Sequence, residues 1–121
     1  MDNRGIYLVI YIGPGQEDRA NDPGYCWLPK GCCKFGQSLD LNNVTKRYAD
    51  HCNGNVIVHK AGTFKDRDDI DAIEKKLHHR FNERRLLNRN NRRMEWMEPI
   101  LMEELSSVFN EVIKEHFAIS I

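Results

Sequence analysis

What this 121-residue chain lacks narrows it first. Its longest apolar run, Ile6–Ile12, is far short of the roughly 20 residues needed to span a bilayer. The run has neither the length nor the cleavage pattern of a secretion signal, so an intracellular protein with no membrane contact is expected. Net charge is also absent, because 18 Lys and Arg offset 18 Asp and Glu. Composition alone therefore does not announce a nucleic-acid binder. The cysteines are Cys26, Cys32, Cys33 and Cys52, and without an export signal they do not read as a disulfide framework. No CxxC or HxxxH spacing is present, which weighs against structural zinc shared with His51. Adjacent Cys32 and Cys33 point to opposite faces of a strand, and buried free thiols are expected. There are no internal repeats and no long disordered tail.

What is there fits one globular domain over residues 1–121, with 40% hydrophobic and 30% charged residues. The zero net charge hides an uneven distribution. Arg80, Arg84, Arg85, Arg89, Arg92 and Arg93 share their segment with one acid, Glu83. Six glutamates follow between Glu95 and Glu115, against one base, Lys114. Two readings stand: a basic patch for nucleic acid, or a solvated surface whose charges pair within the molecule.

Periodicity supplies the elements. Gly5–Ile12 reads as a strand, with Ile6, Leu8, Ile10 and Ile12 on one face and Tyr7, Val9 and Tyr11 on the other. Pro14, Gly15, Pro23, Gly24, Pro29 and Gly31 make residues 13–31 a long loop, in which residues 25–28 can form a local cluster. Cys32–Gln37 reads as a second strand, antiparallel to the first. Asp40 or Asn42 caps a helix from about Leu41 to Cys52, and Gly54 ends it. Asn55–Ala61 is a β-branched third strand. A second helix is expected from about Asp66 to Leu87, with Ile70, Ile73, Leu77 and Phe81 as its apolar stripe. Residues 88–95 read as a polar loop anchored by Trp96, and Pro99 as a first-turn proline of a last, supporting helix over residues 98–117. The order β, β, α, β, α, α predicts an α+β fold: a small three-stranded, mainly antiparallel sheet flanked by three helices.

Residues 32–51 carry the chemistry. At helical spacing Val44, Arg47, Tyr48 and His51 share one face, and the apolar members require that face to pack inward. Lys34 lies on the strand just before. A strand that delivers a lysine to a helix that aims an arginine suits a phosphate. On the second helix Glu74, His78 and Arg85 border the apolar stripe, either as the edge of a site or as polar residues reaching outward.

These residues also carry a resemblance. GIY at 5–7, KFGQS at 34–38, KRY at 46–48 and IEKKLHHRF at 73–81 resemble the GIY-YIG nuclease superfamily, most closely its small phage and viral branch. In that branch the second strand often reads K-[IF]-G, the late helix reads E-x-x-L-H-x-x-F, and an E-W pair, here Glu95-Trp96, follows an arginine-rich loop. The likeness covers residues 5–97. The letters YIG at 11–13 are not the second motif, because that motif lies on a second strand and pairing needs a turn between. Lys34-Phe35-Gly36 is its equivalent, and loop 13–31 is longer than the family's usual gap.

The resemblance implies a divalent-metal-dependent endonuclease that hydrolyses phosphodiester bonds in DNA with one metal ion, Mg²⁺ or Mn²⁺. Tyr7 lines the site. Lys34 stands at the second tyrosine's position and takes the general-base role on the attacking water, for which its pKa must be depressed. Arg47 stabilises transition-state charge. Glu74 is the metal ligand. His51 and His78 orient phosphate or water, and Gln37 lies near another polar site position. The six arginines bind nucleic acid, double-stranded or branched DNA. Cytoplasm, or a eukaryotic host's nucleus, is the expected location. The alternative is a silent nucleic-acid- or protein-binding module on the same fold.

Overall fold

In the computed structural model, which describes residues 3–18 and 26–118 (side chains at positions 17, 18, 26 and 51 apart), the first apolar run forms strand β1, Gly5–Tyr11. Its period-two alternation feeds two cores. Ile6 and Leu8 join Cys33, Phe35, Ile70, Leu77 and Leu105 on one face of the sheet. Tyr7, Val9 and Tyr11 join Cys32, Val44, Tyr48 and Trp96 on the other. The expected split of Cys32 and Cys33 between faces is seen, and both are buried and outside any disulfide, as is Cys52. The Cys26 side chain lies outside the described residues.

Strands β2 (Gln16–Asp18) and β3 (Cys26–Leu28) pair as a two-stranded ribbon within the expected loop. Leu28 is buried, Trp27 is exposed, and Tyr25 lies outside the described residues. Strand β4 (Cys33–Ser38) pairs antiparallel with β1, setting Tyr7 opposite Gly36 and Val9 opposite Lys34. A 3-10 turn at Leu41–Asn43 comes next, with the Asp40 side chain accepting from the Asn42 N–H. It leads into helix α1, Val44–His51. Gly54 holds φ +79°, the left-handed conformation that lets the chain turn back into strand β5, Val56–Thr63. Asp66 caps helix α2, Arg67–Arg80, whose Ile70, Ile73 and Leu77 are buried as its spacing required.

Among the described residues the α+β class is observed, with three α-helices, but the three-stranded sheet is not. The main sheet has five strands, all pairs antiparallel, in the order β5-β1-β4-β7-β6. The two extra strands come from residues expected to be helix and loop. Helix α2 stops at Arg80, a 3-10 turn follows at Asn82–Arg84, and strand β6 (Arg85–Leu87) turns back into strand β7 (Arg93–Met97). Asn88 makes that turn: its Oδ1 accepts from the N–H groups of Asn90 and Arg92, at 2.8 and 3.0 Å, while Asn91 takes φ +59°. The last helix also starts later than expected. Helix α3 is Met102–His116, with Pro99 outside it. It buries Leu105 and Val112 over the α2 side of the sheet. No helix among the described residues is long and apolar enough to cross a membrane.

Candidate functional site

The α1 side of the sheet holds the first group of predicted residues. Tyr7 stands on β1 opposite Gly36, and its ring lies so close that a Cβ at Gly36 would collide with it. The Tyr7 and Tyr48 hydroxyls are 2.9 Å apart, and Arg47 Nη2 donates to Tyr7 Oη at 3.3 Å. Val44 and Tyr48 form the buried face of α1 as expected. Arg47 itself is exposed at the margin, with its guanidinium turned back over the Tyr7 and Tyr48 rings, 5.8 and 5.4 Å from their centres. The His51 side chain lies outside the described residues.

Lys34 is buried, only 8% exposed, the one charged residue so placed among those described. Its Nζ lies 5.0 Å from the Tyr48 ring centre and 5.3 Å from that of Trp96, and these two rings meet edge to face. Burial of an ammonium requires a counter-charge. Glu95 supplies it, with Oε2 3.3 Å from Nζ. Two cations thus converge on one tyrosine, Lys34 and Arg47 on Tyr48.

The tyrosines here are hydrogen-bonding groups, not bases. Burial pushes the Tyr7 phenol well up, the neighbouring Tyr48 adds to this, and Lys34 and Arg47 offset only part. Burial likewise raises Tyr48, against the opposing effects of its hydrogen bond to Tyr7 and of Arg47. Both stay neutral near pH 7.

The second group lies on α2. Gln37 Nε2 donates to Glu74 Oε1 at 2.9 Å and to Asp71 Oδ1 at 2.8 Å. His78 Nε2 donates to the Phe35 carbonyl at 3.2 Å and is 3.9 Å from Glu74 Oε2. Asp71 and Glu74 are one helical turn apart, so both carboxylates reach the same amide. These hard oxygen donors suit Mg²⁺, which takes one or two carboxylates and completes its shell with water and phosphate. Glu74, with Asp71 beside it, would hold the ion. Among the described residues no group of three His, Cys, Asp or Glu is assembled to hold a metal.

The two groups are joined through strand β4. Strands β4 and β7 pair at Cys33 and Met97 and then part. Continued in the same register, the ladder would set Lys34 opposite Trp96 and Phe35 opposite Glu95. Instead the Phe35 carbonyl takes His78, and the Glu95 carboxylate reaches through the parting to Lys34. Lys34 and Gln37, three residues apart on one strand, point to opposite faces, so β4 presents Lys34 to the Tyr48 side and Gln37 to Glu74 on the α2 side.

Most of the six arginines are engaged within the molecule. Arg80 pairs with Glu111 and Glu115, and Arg84 with Glu98 and Glu104. Hydrogen bonds to those glutamates raise both guanidinium pKa values. Arg85 donates to the Met94 and Arg93 carbonyls and to Asn82, while Arg93 donates to the Asn82 carbonyl and pairs with Glu83. Arg89 and Arg92 are exposed on the turn between β6 and β7.

The sequence placed Tyr48 on the inward face of the helix but not Trp96, Glu95 and Asp71 around the site. For Glu95 the available signal was its position next to Trp96; for Asp71, its i−3 spacing from Glu74. Comparison with protein-family models, with curated proteins and with solved structures finds no match to this chain.

Proposed function

We propose that this protein is a divalent-metal-dependent endonuclease that hydrolyses phosphodiester bonds in DNA. The observation that carries the reading is the convergence of Lys34 and Arg47 on the Tyr48 ring. Glu95 balances Lys34 in the free protein, and the exposed Arg47 guanidinium seated over the same ring adds a second positive charge that suits a phosphate. The GIY-YIG resemblance likewise gives Arg47 the transition-state charge, whereas it gives Lys34 the general-base role. In this reading Arg47 holds a non-bridging phosphate oxygen and, through Tyr7, stays fixed over the sheet. A divalent cation bound at Glu74 would polarise the phosphate and steady the leaving oxygen.

A cleavage assay on plasmid and branched DNA, with Mg²⁺ or Mn²⁺ against EDTA, tests this. Metal-dependent cutting by wild type, lost in Arg47→Ala and Glu74→Ala while both still fold, is expected. Equal cutting by all three proteins would point to contamination and remove support for the site. The second reading, a binding module on the same fold, draws on the Gln37 amide, which occupies the Glu74 and Asp71 carboxylates. Salt-sensitive DNA binding without cutting on any substrate would select it.

A further inference from the structure

The site contains a carboxylate that the roles above leave unused. Glu95 lies on β7 and, by alternation with buried Trp96, starts from the α2 side of the sheet. Its carboxylate crosses the parting between β4 and β7 to meet Lys34 Nζ at 3.3 Å. The glutamate side chain is 55% exposed, while that of Lys34 is 10% exposed. One partner of the pair therefore faces water and the other faces the aromatic floor. No further hydrogen bond to the Glu95 carboxylate is seen among the described residues.

A phosphodiester hydrolase needs a group that takes a proton from water, and the neighbours of this pair are poorly suited to it. Tyr7 and Tyr48 are neutral phenols. Arg47 does not deprotonate. An ion-paired Lys34 is an ammonium, which has no lone pair to offer. Glu74 and Asp71 are held by Gln37 on the far wall, and His78 Nε2 carries its proton toward the Phe35 carbonyl.

We propose that Glu95 is the general base of the cleavage reaction and that Lys34 is the cation that holds the phosphate; this rests on the nuclease reading above. In the free protein the carboxylate occupies Lys34. An arriving phosphate competes for the ammonium and displaces the carboxylate, which then lies beside the bound phosphate with its exposed side in water. Glu95 takes one proton from a water molecule as the water oxygen bonds to phosphorus. The bond from phosphorus to the leaving sugar oxygen breaks, and that oxygen keeps the electron pair and is protonated from solvent. The Glu95 proton returns to solvent. Water is consumed, and a phosphate monoester and an alcohol form.

The charged and titratable groups set against Glu95 are Lys34 from β4 and Tyr48 from α1, with Arg47 over the same Tyr48 ring and Tyr7 on its hydroxyl. The test is single-turnover DNA cleavage with Mg²⁺ across about pH 5 to 10 for wild type, Glu95→Gln and Glu95→Asp, with DNA affinity and melting followed in parallel. Glu95→Gln is expected to cut roughly 10²–10⁴-fold more slowly while binding DNA at least as tightly, and to lose the acid limb of the pH profile. Glu95→Asp should fall between. Cutting by Glu95→Gln within about threefold of wild type overturns the proposal and leaves the nuclease standing. So does a wild-type rate that climbs about tenfold per pH unit above pH 8, the mark of a lysine base, and this arm holds even if the variants do not fold. A wild type that cuts nothing removes the nuclease reading, and this proposal with it.

Discussion

Gly36 is in the site because of what lies over it. The Tyr7 ring occupies the space a side chain would need. Gly36→Ala is expected to push Tyr7 off its seat, at a cost of about 1–3 kcal/mol in a denaturant melt, with cleavage falling in step. An unchanged melt would show that Tyr7 does not rest there. Tyr48→Phe removes one buried hydroxyl bond and should cost about 1 kcal/mol. Cys33 offers a prediction in pH. Burial pushes its thiol from 9.0 to about 12. The folded protein keeps this thiol neutral while the unfolded chain ionises it, so the group's contribution is complete below pH 9. It is lost as pH rises from there toward 12, by about 1.4 kcal/mol per unit. Melting temperature should therefore fall between about pH 9 and 11, and Cys33→Ser should flatten that fall.

At the level of elements, the hairpin of β6 and β7 matters most, because β7 carries Glu95 and Trp96. Asn88→Ala strips two backbone N–H groups of their acceptor and should destabilise by about 1 kcal/mol. Because the turn sets where β7 runs, DNA cleavage should fall more than stability does. This hairpin is also where reading the sequence failed. Arg85–Leu87 continues the helical stripe well enough to pass as a last turn, and each strand of the hairpin is short. The asparagines at 88, 90 and 91 are the turn signal inside what the composition presents as a polar loop. Strand β1 was legible because a period of two leaves no choice about which residues share a face. Lys34 and Tyr7 were legible for the same reason, whereas Arg47, which helix spacing aims inward, is exposed and reaches the site only through its guanidinium over the tyrosine rings. The Lys34–Glu95 pair was not, because it depends on two strands parting, which no local pattern encodes.

Across the whole molecule, the arginine-rich segment and the acidic helix largely meet each other. Arg80 and Arg84 lie against glutamates of α3 and of the segment before it. If nucleic acid binds, it should feel Arg92 and not Arg80. Arg92→Ala is expected to reduce the slope of log affinity against log salt by about 0.9, the share of one phosphate contact, while Arg80→Ala leaves it unchanged. Equal slopes for the two variants would return the turn to plain surface. The chemistry and the charge pairing share one framework, and β1 is at its centre. It precedes in the chain every strand and helix it packs against, lying between β4 and β5 and feeding both cores. During synthesis its apolar residues therefore wait, unpaired on both edges, until residues 33–38 and then 56–63 have left the ribosome. That interval is when this chain is most open to mispairing with another copy of itself, and it makes slowed translation between these two segments a hazard for yield more than for the finished protein.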